Sequence, residues 1–226
     1  MRKINLIILL TVFSYTLLWA QKKGETGFIA GASFYLGEIN PEKLFYSPGL
    51  AYGISYRQNL NSRYSASIQL LKLQLSGNDT DFKNIYQQTR NHSFQTNLID
   101  LSLQIEFNFL PFKRGSGKEF ITPYVFGGGG LSYGLTQKSG IKPVIPFGIG
   151  IKIAPWERAC ITINWSMRKT FTDVLDNLNP DSYDVSPGII PKQRSYNNSN
   201  DWYSIAGISL SVQLYNPDYS CPAYRR

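Results

Sequence analysis

From Ile99 to Phe109 apolar and polar residues alternate without a break. Ile99, Leu101, Leu103, Ile105, Phe107 and Phe109 fall on one face; Asp100, Ser102, Gln104, Glu106 and Asn108 fall on the other. Period-two alternation of this length is a β-strand with unlike faces. Read together with the turn residues, the same pattern predicts eight strands: Gly27–Leu36, Gly49–Gln58, Arg63–Leu75, Gln95–Leu110, Phe120–Leu135, Val144–Ala154, Ala159–Lys169 and Asp201–Leu214. Most reach about ten residues, the length a tilted strand needs to cross a bilayer. Strands of soluble domains are nearer five or six. The links after the first, third, fifth and seventh strands (Gly37–Pro48, Ser76–Phe94, Thr136–Pro143, Thr170–Asn200) are mostly longer than those after the second, fourth and sixth (Asn59–Ser62, Pro111–Glu119, Pro155–Arg158). Outer-membrane barrels alternate outside loops and periplasmic turns in this way. The expectation is an all-β chain: an eight-stranded antiparallel up-and-down transmembrane β-barrel with both termini in the periplasm.

The chemistry of the two faces decides which one meets solvent. In Val144–Ala154, Ile145, Phe147, Ile149, Ile151 and Ile153 oppose Pro146, Gly148, Gly150 and Lys152. In the seventh strand Ile161, Ile163, Trp165 and Met167 oppose Thr162, Asn164, Ser166 and Arg168; in the eighth, Ala206, Ile208, Leu210 and Val212 oppose Gly207, Ser209, Ser211 and Gln213. These polar faces are small, hydroxylated and poor in charge, whereas the water face of a soluble sheet carries many Lys and Glu. They suit the interior of a narrow barrel, which leaves the apolar faces to lipid. A lipocalin, the exported soluble barrel of the same strand number, has the opposite polarity. Tyr64, Phe112, Phe120, Trp156, Trp202 and Tyr215 fall at or near strand ends, where interfacial girdles form.

Arg2 and Lys3 precede an apolar run, Ile4–Leu18, that ends in Leu18-Trp19-Ala20. This is the order of a secretory signal peptide, so residues 1–20 are expected to be removed, 21–216 to form the barrel and 217–226 a periplasmic tail. Without Arg2 and Lys3 the 23 basic residues fall to 21 against 15 acidic ones. In an exported chain that excess suits an anionic lipid surface or an acidic partner better than nucleic acid.

No residue set points to catalysis. His92 is the single histidine, and its neighbour Ser93 projects to the opposite side of an extended chain. A lipid A-modifying enzyme with a His and a Ser at its outer rim is the enzymatic alternative, and a generic structural barrel the passive one. Asp173, Asp176, Asp181 and Asp184 do not have the spacing of a calcium loop. Gly127–Gly130 lacks the Lys-Ser/Thr of a phosphate loop and reads as strand where neighbouring side chains need room. No cofactor, metal or small-molecule substrate is expected.

Four stretches, Asn164–Leu178 (NWSMRKTFTDVLDNL), Phe120–Gly130 (FITPYVFGGGG), Phe109–Lys113 (FLPFK) and Phe34–Glu42 (FYLGEINPE), resemble the PorG-like family of small outer-membrane barrels of the type IX secretion system. The most specific piece is Met167-Arg168-Lys169-Thr170-Phe171-Thr172-Asp173, followed by Leu175-Asp176. The resemblance implies a non-enzymatic integral outer-membrane component that associates with a periplasmic PorK/PorN-like ring and supports protein export.

Three groups of residues carry further expectations. Strand parity turns Arg57, Asp100, Glu106, Lys152 and Arg168 into the lumen. Buried charges must be paired, so Glu106 is expected beside Arg57 or Lys152 and Asp100 beside Arg168, the alternative being that Arg57 and Lys152 snorkel into periplasmic water. Arg63, Lys113, Arg114, Lys118 and Arg158 cluster in or beside the periplasmic turns, joined by Lys22, Lys23, Arg225 and Arg226. They form either a partner face or ordinary solvated turns. Cys160 at the start of the seventh strand and Cys221 in the tail share an oxidising compartment. The seven residues from Leu214 to Cys221 span up to about 20 Å, so an internal disulfide is one outcome; a buried thiol at Cys160 and a bridge from Cys221 to a partner are the others.

Overall fold

The computed structural model describes residues 24–41, 43–135, 140–171, 175, 183–184, 192–193 and 201–214. Its wall consists of β1 (Gly24–Leu36), β2 (Gly49–Asn59), β3 (Tyr64–Asn78), β4 (Ser93–Asn108), β5 (Ile121–Gly134), β6 (Ile141–Ile153), β7 (Ala159–Thr170) and, after the two-residue strands β8 (Tyr183–Asp184) and β9 (Lys192–Gln193), β10 (Trp202–Gln213). The eight long strands form a closed antiparallel barrel in the order β1-β10-β7-β6-β5-β4-β3-β2. Each wall strand thus pairs with its sequence neighbours, and β1 closes on β10 along twelve consecutive positions, Glu25↔Gln213 to Leu36↔Trp202. Closure leaves no free sheet edge, as a sheet in lipid requires.

Side-chain exposure gives the polarity of the wall. The outward residues Leu50, Ile54, Leu103, Ile149 and Ile208 are 56–62% exposed, whereas the inward residues Lys152, Glu106, Asp100 and Arg168 are at most 1% exposed. A protein surrounded by water would bury the first set and expose the second. This inverted arrangement is stable only where hydrocarbon wets the outside. Tyr64 and Trp156 at the end where β1 begins, and Trp202, Tyr52 and Tyr133 at the far end, edge the apolar band.

Several strands run further than hydrophobicity predicts. β3 continues through Ser76–Asn78 and pairs there with Ser93–Gln95 of β4, and β6 begins at Ile141. β1 begins at Gly24, which adds Glu25 to the inward face. The link between β3 and β4 contains a 3-10 turn, Asp79–Asp81, and the short helix α1, Ile85–Arg90, which the sequence reading takes as loop. The contrast in link length is correspondingly weaker: 109–120 at the β1-entry end is longer than 135–140 at the far end. Phe112 belongs to the mouth and not to the aromatic girdle, since its ring lies 5.9 Å from Lys152 Nζ. Tyr215 lies outside the described residues, as do residues 1–20, expected as a leader, and 217–226, expected as a tail.

The glycine run has two different roles. A Cβ on Gly128 would meet the Leu103 carbonyl oxygen at 1.9 Å, so β4 and β5 approach too closely there for any other residue. Gly129 has open space around that position. Room for neighbours therefore explains only part of the run.

Inside, an eight-stranded barrel has just the width that its own side chains fill. Glu25, Arg57, Gln69, Leu71, Leu73, Leu98, Gln104, Tyr124 and Tyr203 are all buried. Purified monomer in a planar bilayer is expected to give no stable conductance; steady channels of defined size would contradict a filled lumen.

Candidate functional site

Two charged layers cross the lumen, each assembled from strands distant in sequence. Near the β1-entry end, Glu106 on β4 lies between two cations: its Oε2 is 2.9 Å from Arg57 Nε on β2 and 2.6 Å from Lys152 Nζ on β6. Lys152 also donates to Asn108 Oδ1 at 2.8 Å and lies 4.6 Å from the centre of the Tyr124 ring. Arg57 reaches a second carboxylate, Glu25 Oε2 on β1, at 3.4 Å, and that oxygen accepts from Ser211 Oγ of β10 at 2.9 Å. Arg114, from the link between β4 and β5, forms an ion pair with Glu25, and Asn59 donates to the same carboxylate. Three cations and two carboxylates thus tie four wall strands and one turn into a single layer.

The layer differs from the sequence expectation in two places. Glu25 is an addition: it shares the parity of Gly27, Ile29 and Ser33, and a strand started two residues earlier would have placed it inside. Arg114 is a correction. Its side chain is only 9% exposed and turned into the mouth, because the Glu25 carboxylate draws it away from the rim. It does not belong to an exposed face. Arg63, Lys113, Lys118 and Arg158 are exposed in the turns, together with Glu119 and Glu157. Arg63 Nη1 donates to the Phe109 carbonyl at 2.7 Å, so that guanidinium also braces two turns against each other.

Toward the far end, Arg168 Nε donates to Asp100 Oδ2 at 3.0 Å and Arg168 Nη1 to Ser166 Oγ at 2.5 Å. The Tyr203 hydroxyl donates to the same Asp100 oxygen at 2.5 Å. Above this layer, Leu175 is 2% exposed and packs with Ile39, Leu75, Phe94 and Leu98 across the mouth. Its amide donates to Asp201 Oδ2 at 3.0 Å, and its carbonyl accepts from Thr96 Oγ1 at 3.0 Å. The other Asp201 oxygen accepts from the buried Tyr35 hydroxyl at 2.6 Å. The Gln87 amide donates to the Ile39 carbonyl at 2.9 Å, so the three longest far-end links converge on one lid.

Of the motif, Met167–Thr170 lie in β7 and Phe171 is exposed beyond it; Thr172 and Asp173 lie outside the described residues. His92 binds Asp79 through its backbone, the N–H donating to Asp79 Oδ2 at 3.0 Å, and Ser93 pairs in register with Asn78. In the same loops Tyr46 donates to Asp81 Oδ2 at 2.5 Å. Partial burial, reinforced by that bond, pushes its phenol up to about 12. Cys160 is buried behind the lower layer, 3.8 Å from Thr162 Oγ1. Cys221, Lys22, Lys23, Arg225 and Arg226 lie outside the described residues. Among the described residues no group of His, Cys, Asp and Glu is arranged to hold a metal ion.

A protein-family model described as "Domain of unknown function (DUF6089)" matches residues 2–223. No curated protein sequence matches the chain. Among solved structures, Neisserial surface protein A overlays with a TM-score of 0.52 at 9% identity, covering 85% of this chain and 97% of that one. The outer membrane protein OprG of Pseudomonas aeruginosa (0.42, 7% identity, 85% and 97%) and the attachment invasion locus protein Ail of Yersinia pestis (0.41, 12%, 84% and 99%) are also similar. At this level of identity the likeness to the first is one of fold.

Proposed function

The chain belongs to the DUF6089 family, whose model takes in nearly all of it, and from that premise we propose that it is a non-enzymatic outer-membrane barrel of the type IX secretion machinery, anchoring a periplasmic PorK/PorN-like ring. In this reading the leader 1–20 is cleaved, lipid surrounds the wall, and the β1-entry end with both termini faces the periplasm. The resemblance of Met167–Asp173 and the three other stretches suggests the secretion role. The observation that supports an anchor over a conduit is the lumen: two ion-paired layers and a hydrophobic lid leave no path for a folded cargo. What such a barrel can offer is its rim, where Arg63, Lys113, Lys118 and Arg158 are exposed. Positive charge at a rim orients an acidic partner and gives salt-sensitive association. A tail held by a Cys160–Cys221 disulfide would add Arg225 and Arg226 to the same end.

Co-purification from native membranes tests the assignment. Periplasmic ring proteins are expected to come with the wild-type barrel and to be retained about tenfold less when Lys113, Lys118 and Arg158 are all changed to Glu. Raised salt should reproduce part of that loss. Full retention by the triple variant would remove the rim as the docking face, and absence of any ring protein with the wild type would remove the secretion role. Non-reducing mass spectrometry of the same preparation should show the Cys160–Cys221 bridge; two alkylatable thiols would exclude it.

A further inference from the structure

The charges of the wall strands are divided sharply between the two faces. Glu25, Arg57, Asp100, Glu106, Lys152 and Arg168 all point inward, and no acidic residue occupies an outward position of any wall strand. The outward charges are two lysines, Lys72 on β3 and Lys169 on β7. They stand four strands apart around the barrel, yet both lie at its far end. Lys72 marks the height at which the outward side chains of β3 change from Ile68 and Leu70 to Gln74 and Ser76. On the neighbouring strands it is level with Tyr52 and Ile99. Lys169 lies in register between Ile145 and Trp202. Its ammonium is 5.5 Å from the centre of the Trp202 ring and 6.0 Å from that of Phe171, and Trp202 meets Phe147 edge-on at 6.2 Å.

An outward lysine at mid-bilayer costs about 2–4 kcal/mol, a cost that falls toward zero at either interface, so both residues stand at a height where they are tolerated. Tolerance does not explain why both are cations. Among the described residues neither forms an ion pair, whereas Glu25, Arg57, Asp100, Glu106, Lys152 and Arg168 in the lumen all do. At the boundary between hydrocarbon and headgroup, the anion available to such a lysine is a lipid phosphate. Trp202, Phe171 and Phe147 beside Lys169 supply an aromatic shelf for the first segments of an acyl chain, and the cation–π contacts hold the ammonium over that shelf.

We propose that Lys169 with Trp202 and Phe171 forms a binding site for the phosphate of an outer-leaflet phosphoglycolipid of the lipid A type, with Lys72 a second contact on the opposite wall. The assignment of the glycolipid leaflet rests on the orientation given above, with the long far-end loops outside.

Refolded full chain in detergent is mixed with bis-phosphorylated lipid A, with the same lipid A after phosphatase treatment, or with phosphatidylglycerol, and retained lipid is counted by native mass spectrometry. Phosphorylated lipid A is expected to be retained best. Lys169→Ala and Lys72→Ala should each lower that retention about fivefold, and Lys169→Arg should preserve it. Lys83→Ala, which removes an exposed charge in the β3–β4 link at the same end, should leave retention unchanged. Equal retention of phosphatase-treated lipid A, or indifference to Lys169→Ala, would overturn the site. Phosphatidylglycerol retained as well as lipid A would overturn the glycolipid assignment. The lysine variants should still co-purify ring proteins, so failure here is separable from failure of the secretion reading. A heat-modifiability gel confirms that each variant is folded.

Discussion

Glu106→Ala is expected to destabilise the folded barrel by about 3–5 kcal/mol, the range for removing one partner of a buried ion pair. The size follows from what stays behind. Lys152, fully buried, would keep Asn108 Oδ1 as its hydrogen-bond acceptor, and Arg57 would keep the more distant Glu25 carboxylate. Neither cation can leave, because each is fixed to a strand of a closed wall with lipid behind it. Glu106→Gln preserves volume and one acceptor but not the charge, so its loss should be smaller than that of Ala. Lys152→Met in the Glu106→Ala background should recover part of the loss, because the apolar chain fills the site without an orphaned charge. Since the two side chains touch, a double-mutant cycle should give a coupling well above the ~0.5 kcal/mol scatter of independent sites. Urea titration in lipid vesicles, followed by the gel mobility of the folded form, measures the parent, Glu106→Ala, Glu106→Gln, Lys152→Met and the double variant. A Glu106→Ala barrel as stable as its parent would mean that the layer is solvated through the mouth.

The lower layer also marks how far a sequence can be read. Alternation placed Arg57, Glu106, Lys152, Asp100 and Arg168 inside because a strand inside a closed sheet has no other choice: parity alone fixes direction. Arg114 lies in a turn, where no periodicity fixes direction, and a basic residue in a turn reads as exposed until its partner is known. That partner, Glu25, was itself hidden, because Gly24 and Gly27 interrupt the alternation at the start of β1. The ends of β3, β4 and β6 escaped for another reason. Backbone pairing continues past the bilayer boundary through Ser76–Asn78 and Ser93–Gln95, whereas the hydrophobic pattern stops where the lipid does. The lid was beyond any local pattern. Leu175 sits in a polar stretch and is buried by Ile39, Phe94 and Leu98, residues about 80 to 140 positions away along the chain.

That lid carries the second large expectation: Asp201→Ala should release Leu175 and open the far-end mouth while the barrel remains folded. The carboxylate accepts two buried donors, the Tyr35 hydroxyl at 2.6 Å and the Leu175 amide at 3.0 Å. Each buried donor left without an acceptor costs about 1–3 kcal/mol. A loop can avoid that cost by moving into water, whereas a wall strand cannot, so the loss should appear as local opening. Hydrogen exchange at the Leu175 amide should accelerate at least tenfold, because about 1.4 kcal/mol of lost protection is a factor of ten in the opening equilibrium. Asp201→Asn should fall between parent and Ala, since its single acceptor oxygen can serve Tyr35 or Leu175 but not both. Tyr35→Phe should cost least, because it removes a donor and leaves none stranded. Conductance should stay at background in all three variants, because the Arg57–Glu106–Lys152 layer closes the lumen independently of the lid. Unchanged exchange in Asp201→Ala would show that hydrophobic packing of Leu175 against Ile39, Leu75 and Phe94 suffices to hold the lid.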